Sequence, residues 1–370
     1  MLTGVPGAPS STPTVVRRPH IMAQPLIFSS HPAADLDRWS VAETFDRVFV
    51  LTDENTRRLC LPVLADSEVV RRAQVITIPA GEEHKSLDTL QRVWAALSEG
   101  GATRHSCLIN LGGGVVTDLG GFAAATFKRG IAFVNIPTTL LAMVDASVGG
   151  KTGVDFCGLK NEIGAFADAR TVLLSTQFLA TLDREQMLSG FAEMLKHALL
   201  CSREMLGRLL CCDLFAPDLQ ALQTLVEESV GVKQRVVQLD PTEQNVRKAL
   251  NLGHTVGHAV ESLCIGRGRT ITHGHAVAVG LVCELYLSAI KTAFPQDTLR
   301  QVVTFIREHY PVVPFTCDDY GELFRLMLHD KKNTAGEIRF ALLRDVGDVC
   351  LDTHVGREEI EESLDFYREG

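Results

Sequence analysis

The chain has 370 residues, 46% of them hydrophobic, enough for two domains with separate cores. Its formal net charge of -9 argues against nucleic acid or an anionic membrane as the main partner, although a few bases gathered in one cleft can still hold an anionic substrate. Ten cysteines without a C-x-x-C pair, set mostly among apolar neighbours as at Cys201, Cys264 and Cys283, read as reduced thiols of a cytoplasmic protein.

Residues 1–24 are rich in Pro, Ser and Thr and have no apolar centre, so they read as a loose extension and not as a secretory signal. Five β-branched, apolar runs follow: RVFVLT (Arg47 to Thr52), AQVITIP (Ala73 to Pro79), CLINLGGG (Cys107 to Gly114), IAFVNIP (Ile131 to Pro137) and TVLLS (Thr171 to Ser175). Bounded by Gly, Pro or Asp, they read as buried strands. Helical stretches separate them, among them SLDTLQRVWAALSEG and Asp118 to Thr126. This alternation predicts an α/β nucleotide-binding domain with a parallel sheet over residues 25–180.

Beyond Thr181 the periodicity is helical, over Glu185–Cys201, Leu219–Leu239, Val246–Cys264, His275–Thr292, Asp297–His309 and Tyr320–Leu328. GEIRFALLRDVGDVCLDTHV reads as a hairpin and EEIEESLDFYRE as a closing helix. Residues 181–370 are therefore expected to form an otherwise all-α metal-binding domain. No run reaches bilayer length, since Glu284 interrupts the apolar stretch from Ala276 to Ile290. The cleft between the two domains is the expected ligand site.

Polar clusters fall just after the predicted strands, where open α/β sheets bind ligands. TDEN (Thr52 to Asn55) makes Asp53 and Asn55 candidate nucleotide contacts; Asp53 would accept from a ribose or cap a helix. GEEHKS carries Glu82 and Lys85, and PTTLLAMVD runs from Pro137 to Asp145. Gly112, Gly113 and Gly114 lie between a strand and a helix, where backbone can approach a pyrophosphate or simply turn tightly. G-x-G-x-x-G is absent.

The helical half carries the metal-binding residue types. His254 and His258 are four apart in LNLGHTVGHAVES, His273 follows in ITHGHAV, and GFAEMLKHAL supplies Glu193, Lys196 and His197. Two imidazoles on one helix face can present nitrogens to one ion or substrate. A carboxylate and a third imidazole from separate segments would complete a three-protein-ligand site with an open position, as in catalytic zinc. Bases embedded among Gly and apolar residues, at Lys151, Lys160, Lys196 and Arg247, suit phosphate and carboxylate anchors.

The motifs GGGVVTDLGGF, RGI, IPTTLLAMVDASVGGKTGVD, KNEIGAF, GFAEMLKH, LNLGHTVGHA and HGHAVAVG, from about Val48 to Leu343, resemble those of the 3-dehydroquinate synthases, a branch of the sugar phosphate cyclases. The resemblance implies bound NAD, a zinc (or cobalt) ion and a homodimer with shared active sites. It implies conversion of 3-deoxy-D-arabino-heptulosonate 7-phosphate to 3-dehydroquinate and phosphate, a shikimate-pathway step towards aromatic amino acids. By resemblance, Glu193, His254 and His273 are the metal ligands. Asp145, Lys151, Asn161, Lys196, Glu243, Arg247, Asn251, His258 and one of Lys331 and Lys332 form the substrate and catalytic set, with Arg129 reaching the neighbouring subunit's site. Asp53, Glu82, Lys85, Gly113, Gly114, Val115, Asp118, Thr138, Thr139, Lys160, Phe178 and Thr181 match nucleotide contacts.

Three departures stand out. H-G-E is H-G-H here, adding His275 beside His273; Gln186 stands where a Glu is usual; and Leu159 replaces Gly or Arg. Cyclases acting on sedoheptulose 7-phosphate or glucose 6-phosphate depart from the VDASVGGKTGVD and KNEIGAF patterns kept here. A metal-dependent polyol dehydrogenase would not need the Lys151, Lys196 and Arg247 anchors.

Overall fold

The computed structural model describes residues 24–157, 159–214, 216–241, 243–328 and 338–369. The extension up to residue 23, and Lys331 and Lys332, lie outside the described residues. The strands are β1 (Leu26–Phe28), β2 (Val48–Asp53), β3 (Gln74–Ile78), β4 (Cys107–Gly112), β5 (Ala132–Pro137), β6 (Lys151–Phe156), β7 (Leu159–Phe166), β8 (Thr171–Leu174), β9 (Arg339–Asp345) and β10 (Asp348–His354). Six of them form one parallel sheet in the order β1-β8-β5-β4-β2-β3. β4 and β8 are buried at every position, as their unbroken apolar runs require between two helical layers.

Helices α1 (Pro32–Val41), α2 (Glu54–Leu59), α3 (Glu68–Arg72), α4 (Leu87–Glu99) and α5 (Gly114–Thr126) connect these strands. The chain leaves β2 towards β3 on one side and β4 towards β5 on the other. Right-handed crossovers then put the two connections on opposite faces and open a crevice between the carboxyl ends of β2 and β4. The five strands expected from sequence are present within a residue or two. β1 and the antiparallel pair β6–β7 are additions. Gly and polar residues dilute the alternation of β6 and β7, and β7 is largely exposed.

The second half holds α6 (Arg184–Leu199), α7 (Arg203–Leu210), α8 (Leu219–Leu239), α9 (His254–Gly266), α10 (His273–Thr292), α11 (Gln296–His309) and α12 (Tyr320–Leu328). The antiparallel β9–β10 hairpin and α13 (Arg357–Glu369) close it, as expected. One apolar core runs through both halves. By length and apolar content α10 could cross a bilayer, contrary to the sequence expectation, but most of it is buried inside the protein. It packs on α6, α9, α11, α13 and β9.

The expected helix Val246–Cys264 is broken. Residues Val246–Asn251 form a 3-10 turn, Gly253 takes φ +80°, and α9 starts at His254. The cause lies in α10. Fully buried Glu284 accepts hydrogen bonds from the backbone N–H groups of Gly253 (2.6 Å), Thr255 (3.0 Å) and Val256 (3.2 Å), capping α9 from inside the protein. Here the backbones touch: a Cβ on Gly280 would lie 1.8 Å from the Gly253 carbonyl oxygen. A glycine at 280 thus allows the crossing that brings the amino ends of α9 and α10 together.

Candidate active site

A single cleft of about 2030 Å³ runs from the carboxyl ends of the sheet strands to the amino ends of α9 and α10. Asp53, Asn55, Glu82, Lys85, Thr138, Thr139, Phe178 and Thr181 line it from the loops after β2, β3, β5 and β8. Gly113, Gly114, Val115 and Asp118 line it from the start of α5. Gly113 is the N-cap of α5 and supplies no side chain, so the first amides of this helix point into the crevice uncapped. Asp53 caps α2, its Oδ1 accepting from the Thr56 amide at 2.7 Å, while also lining the cleft. The two sequence readings of Asp53 are therefore compatible.

Lys85 is buried, its Nζ 2.6 Å from Asp118 Oδ2 and 2.5 Å from Asn161 Oδ1. Burial disfavours its charge, but Asp118 and Glu82 outweigh that and raise its pKa. This one ammonium ties the end of β3, helix α5 and the β6–β7 hairpin together.

In the helical wall, Glu193 of α6 is completely buried. Its Oε1 lies 3.4 Å from His254 Nε2 and 3.7 Å from His273 Nε2, and its Oε2 pairs with Lys196. Neither oxygen receives a well-directed hydrogen bond. Ligand atoms held 2.0–2.2 Å from a tetrahedral ion stand roughly 3.3–3.6 Å from one another, close to the observed separations. His254 Nδ1 is 3.1 Å from the Leu252 carbonyl oxygen, and His273 Nδ1 is 3.3 Å from Glu261 Oε2. Such partners turn each Nε2 towards the Glu193 carboxylate. His258 sits beside them, its ring 5.2 Å from that of His254 and 5.7 Å from that of His273. Metal-binding atoms of all three imidazoles lie within 4.8 Å of one another.

The electrostatics agree with the geometry. Burial opposes ionisation of Glu193, but Lys196 and His273 hold its carboxyl well below the usual range. Burial likewise opposes a charged His273, yet Glu193 and Glu261 push its pKa up to about 10. Two carboxylates converging on one imidazole make a pocket that attracts positive charge, so the residues present fit a divalent cation. Asp145, Glu193 and His197 form a second close group. There Lys233 Nζ sits 2.6 Å from Asp145 Oδ1 and Lys196 on Glu193, so ammonium groups answer those carboxylates.

The candidate substrate residues lie between the two walls. Asp145 stands in a π-helical turn, Ala142–Ala146, a geometry common at functional sites. Burial works against its ionisation, but Lys233 outweighs this and depresses its pKa. Lys151 Nζ is 2.5 Å from Glu243 Oε2, and Asn251 Nδ2 donates to Glu243 Oε1 at 3.1 Å. Arg247 is buried, donating to the Pro241 carbonyl at 2.7 Å. Lys151, Asn161, Lys196, Glu243, Arg247, Asn251 and His258 all line the cleft.

Arg129 does not reach it. It lines a separate recess with Thr103, Arg104 and Lys128. Lys128 and Arg129 both have positive φ, 50° and 67°, a conformation costing about 1 kcal/mol or more per non-glycine residue. His275 turns away from the imidazole cluster, its Nε2 2.6 Å from the Pro311 carbonyl oxygen. Gln186 and Leu159, two of the departures, line the cleft. Sequence reasoning missed Glu261 and Lys233. Glu261 stands seven residues after His254 on the same helix face, a spacing that could have revealed it. Lys233 is a lone ammonium among the valines of α8, a weaker signal.

Comparison with known proteins settles the family. Residues 75–189 match the family model for the N-terminal part of 3-dehydroquinate synthase, and residues 190–333 the model for its C-terminal part. A 3-dehydroquinate synthase of Parabacteroides distasonis is 52% identical over 325 residues, which cover 88% of this chain and 92% of that protein. The chain belongs to the 3-dehydroquinate synthase family. Among solved structures, a 2-epi-5-epi-valiolone synthase from Streptomyces hygroscopicus subsp. jinggangensis, with NAD+ and Zn2+ bound, superposes with a TM-score of 0.82 at 26% identity over 96% of this chain and 99% of that one. A 2-deoxy-scyllo-inosose synthase shares the fold, with a TM-score of 0.80 at 23% identity over 92% and 95% of the two chains. These neighbours share the two-domain frame of this chain, a parallel sheet joined to a mostly helical domain.

Proposed function

We propose that this cleft performs the family's reaction, converting 3-deoxy-D-arabino-heptulosonate 7-phosphate to 3-dehydroquinate and inorganic phosphate. One observation carries the reading. An uncapped helix amino end, the Glu193–His254–His273 cage and an anion-binding set of Lys151, Lys196 and Arg247 converge on one cleft. NAD bound against the sheet wall would supply a hydride acceptor for the carbon bearing the hydroxyl to be oxidised and return that hydride later, and zinc or cobalt held by Glu193, His254 and His273 would draw electron density from the adjacent oxygens.

The chain's own residues position the substrate and move protons. Lys151, Arg247 and Asn251 hold the phosphate and carboxylate ends, and Glu243 orients Lys151 and Asn251 through its two oxygens. Lys196 and Lys233 keep Glu193 and Asp145 ionised. His258, at the cleft edge of the imidazole cluster, accepts the proton of the hydroxyl being oxidised. Loss of the acidic neighbouring proton expels phosphate, whose own oxygen is a base within reach.

The molecule works as a homodimer in this reading. The strained loop that turns Arg129 away from its own cleft supports a role in a partner's site. One of Lys331 and Lys332 completes the substrate set, the domain division falls near residue 180 between β8 and α6, and the enzyme acts in the cytoplasm. The test is phosphate release from the heptulosonate 7-phosphate, with and without NAD and chelator. Turnover should need both NAD and metal, with no net NADH. NADH absorbance rising in step with turnover would instead identify a polyol dehydrogenase.

A further inference from the structure

Glu261 has no part in the mechanism just described, yet it is the only carboxylate among the described residues that touches both a candidate metal ligand and a candidate nucleotide contact. Its Oε1 lies 2.6 Å from Lys160 Nζ, on the β6–β7 hairpin. Its Oε2 lies 3.3 Å from His273 Nδ1, at the start of α10. The carboxylate is nearly buried, with its side chain 6% exposed, whereas the Lys160 side chain is 41% exposed. A buried carboxylate with both oxygens occupied has one geometry available, and the two partners belong to opposite walls of the cleft.

We infer that Glu261 is a positioning residue that orients His273 for the metal and couples metal binding to nucleotide binding through Lys160. This rests on the assignment of Glu193, His254 and His273 as metal ligands. A carboxylate on the far nitrogen of a ligating imidazole fixes its tautomer and ring angle, and its loss weakens metal binding about 10–100-fold. Lys160 holds Glu261 in that pose and is released or reinforced as the hairpin meets the nucleotide. Each ligand then changes the other's affinity by the same factor, about fivefold or more.

The test measures binding of zinc by competition with a chromogenic chelator, and of NAD by calorimetry with and without zinc. Glu261→Gln should weaken zinc about tenfold and Glu261→Ala towards a hundredfold. The NAD–zinc coupling factor should fall towards one in both. Lys160→Met, at a side chain more exposed than that of Glu261, should lower zinc affinity although Lys160 touches no metal; it carries the test if the Glu261 variants do not fold. His254→Ala serves as the control. If it retains zinc, the ligand assignment itself is wrong. If it loses zinc while Glu261→Gln and Lys160→Met keep wild-type affinity and coupling, the ligand assignment stands and the role of Glu261 is overturned. Absence of NAD–zinc coupling in the unaltered chain would also overturn it.

Discussion

The two walls of the cleft are built from different materials. The sheet wall offers backbone amides, short polar side chains and one buried lysine at the ends of parallel strands. The helical wall offers Glu193, Lys196, His197, Lys233, His254, Glu261 and His273, ionisable groups packed against one another. Backbone amides need no partner to keep their charge state, so in the sheet wall dependence on a charged neighbour is concentrated at Lys85 and its partners Asp118 and Asn161. In the helical wall each charge depends on its neighbours, and removing one leaves another buried and unanswered.

Removing a candidate metal ligand should have the largest effect. Glu193→Ala, His254→Ala and His273→Ala are each expected to lose the ion and about 10³-fold or more in turnover, roughly 4 kcal/mol of barrier. His275→Ala, whose imidazole faces the Pro311 carbonyl, should keep the metal. Metal content of the four purified variants decides this, and loss of zinc from His275→Ala would redraw the helical wall.

Arg129 tests whether a third surface completes the cleft. Arg129→Ala should fold and dimerise but lose about 10²-fold in activity, with Arg129→Lys only partly restored, since lysine lacks the planar fork for phosphate. Mixed with Lys151→Ala subunits, it should regain one working site per mixed dimer. No recovery on mixing would mean that Arg129 acts within its own subunit.

Asp53 probes the sheet wall. Asparagine caps helices as well as aspartate, so Asp53→Asn should leave the melting temperature unchanged. If Asp53 also accepts from the nucleotide ribose, NAD affinity should fall about tenfold. Unchanged affinity would leave Asp53 as a cap alone.

His197 gives the smallest effect, read through pH. Burial, reinforced by Lys196, lowers its pKa to about 3, and its Nδ1 lies 2.8 Å from Ser229 Oγ. Between about pH 6.5 and 3 the unfolded chain therefore binds the proton that the folded chain refuses. Stability should fall as pH drops through that window, by no more than about 1.4 kcal/mol per pH unit from this group. His197→Gln should flatten that part of the curve in urea titrations at several pH values.

The sequence by itself determined five of the six parallel strands behind the sheet wall. β-branched apolar runs of about five or six residues, bounded by Gly, Pro or Asp and alternating with helical stretches, read as buried parallel strands whose polar sequels fall at one edge. It also determined the residue types of the candidate metal cage, because His254 and His258 share a helix face and His273 stands in similarly small-residue surroundings. Tertiary structure alone decided what those residues face. Periodicity ran unbroken from Val246 to Cys264, since a break of two residues leaves the apolar spacing intact. Only the contact with Glu284 and Gly280 shows why α9 begins at His254. The β6–β7 hairpin was likewise unreadable, being glycine-rich and held by Lys85 and Glu261 from other elements. Pairings such as Lys160 with Glu261 or Asp145 with Lys233 join residues about a hundred positions apart, and no local pattern encodes them. Short-range periodicity follows from backbone geometry, whereas the partner of a buried charge is set by which chain segment packs against it.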